Sequence, residues 1–253
     1  MSEPYNRNMK LLLLGSGGYH PSDLRQTACL MLPSEGIVLD AGTAMFRVRE
    51  HIETNTLDIL LSHGHLDHVI GLTYLFDVLH GKEVERVTAH IESAKIKPVQ
   101  EHLFADVLFP VTPPFDFSPV EELKTIGDCQ ITTFPMEHPG GCTGYRLDWP
   151  DRSLAYITDT IASTDADYVA HIKDVDLLVH ECYFPDGLEE QAKLTGHSSA
   201  TQVANVAKQS GATNLVLVHV NPIFNTEDPI GLDVIKDIFP NTRLGIDGME
   251  IEF

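Results

Sequence analysis

His63-Gly64-His65-Leu66-Asp67-His68 stands directly behind the apolar run Leu57-Asp58-Ile59-Leu60-Leu61-Ser62, so candidate metal ligands crowd the end of a buried strand. Neutral imidazole and carboxylate together suit borderline divalent ions, and a rigid loop can aim alternate side chains at one ion while the last two reach a second. The same placement recurs along the chain. His138 follows the strand-like run 131–135, Asp159 follows 154–158, and His219 ends 215–218. Strand ends converge on one edge of a sheet, so ligands remote in sequence can meet there. His63, His65 and His138 are expected to hold one metal, Asp67, His68 and His219 a second, with Asp159 bridging. The donor types favour zinc and also allow manganese or iron.

Short apolar runs alternate with segments of helical period, the pattern of sheets covered by helices. Strands are expected at 10–14, 36–40, 57–62, 86–91, 130–135, 144–149, 153–158, 176–180, 214–220 and 249–253, and helices at 69–80, 93–106, 165–173, 199–210 and 229–239. Ser198 reads as the N-cap of the helix from Ser199, and Gly211 as the residue that ends it. No linker or short repeat divides the 253 residues, of which 43% are hydrophobic, so one domain spanning 1–253 is expected. Met1 to Asn8 is polar and expected to fray. Leu11 to Leu14 is too short for a signal or membrane span, and Cys29, Cys129, Cys142 and Cys182 form no CxxC pair; a cytoplasmic protein with reduced structural thiols is the expectation. A formal charge of −20 opposes long polyanions, because polynucleotide affinity comes largely from Lys and Arg. A small anionic substrate stays compatible, since bound dications restore local positive charge.

Taken with Leu39-Asp40-Ala41-Gly42 and Tyr156-Ile157-Thr158-Asp159-Thr160, these residues resemble the metallo-β-lactamase superfamily over nearly the whole chain. The resemblance implies an α+β fold, a four-layer αββα sandwich with a dinuclear metal site at one edge. His68 and a carboxylate at Asp159, where many lactamases use cysteine, argue against β-lactam hydrolysis. His65 in place of a glutamate argues against the oxygen-reducing diiron branch. Leu178 to Phe184, Gly196-His197-Ser198-Ser199-Ala200, Val218-His219 and Asp247-Gly248-Met249-Glu250 resemble the ribonuclease Z-like and cyclic phosphodiesterases. In that branch the histidine matching His197 assists the phosphorus chemistry. The tRNA-processing members usually carry a long basic, glycine-rich arm between the positions of His138 and Asp159, whereas here 139–158 reads as two strands and a turn. The substrate implied is a small phosphodiester, cyclic forms included, and long nucleic acid is not expected. Family resemblance makes a homodimer plausible, without any local pattern for it.

The mechanism expected from these residues is attack on phosphorus by a hydroxide shared between the two ions. Asp67 would ligate one ion and orient that hydroxide, and His197 would protonate the leaving oxygen or stabilise charge on the phosphoryl group. Glu181 would orient His197 or a ligand histidine, although a purely structural carboxylate is nearly as good a reading. His180 is a weak ligand candidate, and Asp40 is expected to support a ligand rather than bind metal. His20, His51, His80, His90, His102 and His171 are expected at the surface or hydrogen-bonded in the core. Gly15-Ser16-Gly17-Gly18 lacks a GK[ST] ending and fits a tight turn better than a phosphate cradle. The Phe/Pro-rich stretch 104–119 reads equally as a lid, pocket wall or partner-binding segment, or as ordinary packing. Rival functions are a lactonase or thioesterase on the same metals, a tRNA 3′ endonuclease lacking the arm, and a non-catalytic metal-binding protein.

Overall fold

The leucines at 11–14 send their side chains alternately to two different cores. In the computed structural model, which describes residues 9–224 and 226–253, Leu11 and Leu13 pack with Leu39, Tyr156 and Val216. Leu12 and Leu14 instead pack with Val38, Leu57, Leu72 and Leu75. A strand apolar on both faces must be covered on both, and each buried leucine contributes about 2 kcal/mol relative to exposure. The stretch Met1–Asn8, expected to fray, lies outside the described residues.

The first sheet contains β1 (Lys10–Gly15), β2 (Cys29–Leu32), β3 (Ile37–Leu39), β4 (Thr56–Leu60), β5 (Arg86–Ile91) and β6 (Asp116–Pro119). The second contains β7 (Thr125–Ile126), β8 (Cys129–Met136), β9 (Cys142–Trp149), β10 (Arg152–Ile157), β11 (Leu177–Glu181), β12 (Asn214–Val218) and β13 (Thr242–Leu244), and β14 (Met249–Glu252) returns to the first. Spatial orders are β14-β1-β2-β3-β4-β5-β6 and β13-β12-β11-β10-β9-β8-β7. Pairing is parallel from β3 to β6 and from β10 to β13, so the C-terminal ends within each run share an edge.

One apolar core lies between the sheets, and one lies on the outer face of each. α1 (Leu66–Val69), α2 (Leu75–Leu79) and α3 (Ser93–Leu103) cover the first sheet through Val69, Leu75, Val78 and Val99. After α4 (Glu189–Thr195), α5 (Ala200–Ser210) and α6 (Leu232–Ile238) cover the second through Val203, Ala204, Ala207 and Ile235. This is the four-layer αββα sandwich. No described helix is long and apolar enough to cross a membrane.

Several expected elements change in detail. The helix placed at 69–80 begins at Leu66 and is interrupted by a 3₁₀ segment, Ile70–Tyr74. Tight packing accompanies the break: a Cβ on Gly71 would lie 2.3 Å from the Gly42 carbonyl oxygen. The N-cap is Ser199 rather than Ser198, with the Ser199 backbone N–H donating to Gln202 Oε1 at 3.2 Å, and Gly211 ends α5 at φ 73°. Residues 165–173 yield only a short 3₁₀ turn, Asp167–Ala170, while β2, β6, β7, β13 and α4 were not anticipated. All four cysteines are free and buried, and burial pushes each thiol pKa up.

Candidate metal centre

Four segments bring the candidate ligands to one edge of the sandwich. His63 and His65 lie between β4 and α1, and Asp67 and His68 occupy the first turn of α1. His138, Asp159 and His219 follow β8, β10 and β12. Asp159 sits between two groups. Its Oδ2 is 3.6 Å from His63 Nε2 and 3.5 Å from His138 Nε2, while its Oδ1 is 3.4 Å from His68 Nε2 and 3.2 Å from His219 Nε2. His65 Nδ1 lies 3.3 Å from His138 Nε2, and Asp67 Oδ2 lies 3.3 Å from both His68 Nε2 and His219 Nε2. Ligand atoms at Zn–N lengths in a tetrahedral site stand about 3.3 Å apart, so this spacing fits a divalent ion in each group. Buried His63 Nε2 has no hydrogen-bond partner among the described residues, as expected of a nitrogen aimed at a cation.

Three of the opposite ring nitrogens, on His63, His68 and His138, meet protein groups, whereas buried His219 Nδ1 has no hydrogen-bond partner among the described residues. Asp40, wholly buried after β3, accepts from His68 Nδ1 at 2.8 Å, Tyr156 Oη at 2.7 Å, and the Ser62 backbone N–H and hydroxyl at 2.7 and 2.9 Å. It supports His68 from behind. His138 Nδ1 donates to the Gly196 carbonyl at 2.9 Å, and His63 Nδ1 meets Ser62 Oγ at 3.0 Å. The backbone is strained at three of these positions: Asp40, Asp159 and His219 have φ of 58°, 44° and 56°. Non-glycine residues in this left-handed region cost about 1 kcal/mol or more, and such strain gathers at functional sites.

Burial holds His63, His65 and His138 toward the neutral form, which leaves lone pairs for a metal. Burial also opposes a charge on His68, but the surrounding Asp159, Asp40 and Asp67 outweigh it and raise its pKa well above the usual imidazole range. For Asp67 and Asp159, burial favours the neutral acid. Neighbouring histidines more than offset it and keep both carboxylates ionised.

Beside this cluster, Glu181 at the end of β11 is fully buried and takes His197 Nδ1 at 3.0 Å. Its Oε1 also accepts from the Thr160 backbone N–H at 2.8 Å. Burial lowers the His197 pKa, but the Glu181 charge overcomes this and raises it. A ring nitrogen of His197 falls within 4.8 Å of ligand atoms of Asp159 and His219. His180 turns the other way: its Nε2 meets Tyr168 Oη at 3.0 Å, apart from the cluster. A cleft of about 1000 Å³ opens over His65, Asp67, His138, Asp159, His197 and His219.

A family model described as the β-lactamase superfamily domain matches residues 35–220, which contain the whole cluster and the Glu181–His197 pair. The chain belongs to this superfamily. Ribonuclease Z of Halobacterium salinarum is 24% identical, over 84% of this chain and 87% of its own length. The solved metallo-β-lactamase fold protein YhfI of Bacillus subtilis aligns with a TM-score of 0.80 at 20% identity, covering 97% of this chain and 100% of that one. A diphosphatase of the PhnP family aligns with a TM-score of 0.73 at 20% identity, covering 97% of each chain. The chain is thus a metallo-hydrolase-fold member of the superfamily, with ribonuclease Z among its relatives.

Other contributors in this superfamily member were not singled out from sequence. The Tyr19 backbone N–H donates to Asp67 Oδ2 at 2.7 Å. Gly18 allows His219 its place, since a Cβ there would lie 2.4 Å from the ring. The glycine run therefore serves close approach more than a tight turn. Tyr183 stacks on His197 with centroids 4.3 Å apart, and exposed His20 stands at the cleft wall. Tyr183 lay within a quoted motif, but its stacking partner came from a distant element. In 104–119 the phenylalanines pack on one another, with Phe115 5.6 Å from Phe104 and 5.0 Å from Phe117. None of them lines the cleft.

Proposed function

We propose that this chain is a two-metal phosphodiesterase, using zinc in the first instance, that cleaves a small phosphodiester. The observation that carries the reading is the Glu181–His197 pair beside Asp159 and His219. Divalent ions held by His63, His65 and His138 on one side, Asp67, His68 and His219 on the other, and Asp159 between them would supply Lewis acidity and a water acidified toward neutral pH. Asp67, fixed by the Tyr19 N–H, orients the attacking water. His197, favoured in its protonated form by Glu181, gives its proton to the departing oxygen, which is otherwise a poor leaving group. Tyr183 stacks on the His197 ring and limits its rotation. Attack on a carbonyl carbon needs the same ions, so the placement of His197 is what favours phosphorus over a lactone or thioester. Four free cysteines accord with a cytoplasmic setting.

Cleavage at a tRNA 3′ end is a second reading, supported by the ribonuclease Z name of the halobacterial relative. Against it, β9 and β10 are joined by the turn at Pro150-Asp151, with no inserted arm, and the formal charge is −20. The test is metal-stripped protein restored with zinc or manganese and assayed on bis(p-nitrophenyl) phosphate, cyclic nucleotides, a ribose cyclic phosphate, a lactone, a thioester and a tRNA precursor. Metal-dependent cleavage confined to small phosphodiesters supports the reading. Turnover of only the lactone or thioester overturns it, and salt-sensitive tRNA cleavage selects the second reading. His197→Ala should lower kcat by about 10²- to 10⁴-fold with metal content unchanged.

A further inference from the structure

We infer that a second cavity, which adjoins the His197 cleft at His65 but is not lined by His197, receives the organic group that stays on phosphorus, and that this group is apolar. The inference rests on the phosphodiesterase reading and narrows its substrate. The cavity measures about 510 Å³, and its walls include Leu66, Pro98, Val99, Leu103 and Leu108. His65 and Leu66 line both this cavity and the larger cleft, so the two spaces adjoin at the candidate metal centre.

A phosphodiester carries two organic groups, and the two spaces differ in the chemistry they offer. The larger one contains His197, the proposed proton donor, and so takes the leaving group. The retained group departs from phosphorus in another direction, and the smaller cavity lies open to it. Its one lysine or arginine is Lys95, whose Nζ is bound to Glu92 at 2.5 Å and to the Gly141 carbonyl at 2.6 Å. That lysine is already neutralised, which disfavours a second phosphate or a carboxylate on the retained group. Leu66, beside the polar centre, and Leu108, across the same cavity lining, remain 67% and 71% exposed. Large apolar side chains left open beside such a centre are suited to cover by an apolar ligand. Leu108 also gives the Phe/Pro-rich stretch a part in the site: its phenylalanines pack inward, and its leucine forms the wall.

The experiment compares bis(p-nitrophenyl) phosphate with methyl p-nitrophenyl phosphate, which share a leaving group and differ in the group retained. Both are assayed on the metal-restored wild type, on Leu108→Asp and on Leu103→Ala. Comparing variant with wild type cancels the intrinsic difference in reactivity between the esters. Leu108→Asp should cut the diaryl-to-methyl ratio of kcat/KM by about tenfold, mainly through KM for the diaryl ester. Leu103→Ala should cut it less, and kcat/KM for the methyl ester should hold in both. An unchanged ratio in both variants, with hydrolysis intact, overturns this inference alone. Absence of metal-dependent hydrolysis of either ester by the wild type overturns the phosphodiesterase reading and this inference with it.

Discussion

The two groups of candidate ligands around Asp159 are alike in spacing and unlike in support. His68, in the group with Asp67 and His219, is backed by Asp40, itself fixed by Tyr156 and Ser62 in the fully buried interior. Asp67 takes the Tyr19 N–H, and His219 lies over Gly18. The His63, His65 and His138 group leans on one serine hydroxyl and one backbone carbonyl, and His65 is exposed. Equal coordination therefore need not mean equal rigidity. A ligand held before the ion arrives loses less entropy on binding, so the Asp67 group should bind its ion more tightly.

The most severe challenge to this comparison is Asp159→Ala, which removes the carboxylate common to both groups. It should strip the protein of both ions and lower kcat/KM by about 10³-fold or more, as read by elemental analysis and kinetics. Retention of two ions would show that the groups are independent. Asp40→Asn should weaken one ion by about 10- to 100-fold and leave the other nearly unchanged. A competition titration against a chelator would reveal equal losses at both sites if the asymmetry is wrong. Graded chelation of the wild type should remove the ion at the His65 group first. Substituting cobalt and following its absorption would resolve the order, and simultaneous loss would contradict it.

A smaller effect provides a control away from both groups. Burial alone would raise the Asp58 pKa, but hydrogen bonds from His90 and Arg86 outweigh it and bring it down to about 2. A depressed carboxylate pKa contributes stability that is present above the unfolded value near 4 and is lost as pH falls toward 2. The contribution at neutral pH is about 2 kcal/mol. Asp58→Asn should flatten acid unfolding across that window, followed by circular dichroism, without altering metal content.

The gathering of the candidate ligands was legible because metal chemistry restricts residue type and His63, His138, Asp159 and His219 each stand where an apolar run stops. Most strands were legible because they are apolar on one or both faces, as at Leu11 to Leu14. What sequence concealed depends on contacts between distant segments. Nothing near Gly18 announces His219, and nothing near Tyr19 announces that its backbone N–H faces Asp67. β2 escaped because Cys29-Leu30-Met31-Leu32 has neither alternation nor β-branched residues to separate strand from helix. The helix at 69–80 looked continuous because its apolar period survives the 3₁₀ segment, whereas the packing at Gly71 is a tertiary matter.

Asp40, Asp159 and His219 impose left-handed backbone on the native state, at about 1 kcal/mol each against a typical total stability of 5–15 kcal/mol. Ions that bind only the folded chain would offset that strain by mass action. In a cell short of metal, the protein would then unfold more often and be cleared by proteases, so metal supply would govern its abundance as well as its turnover.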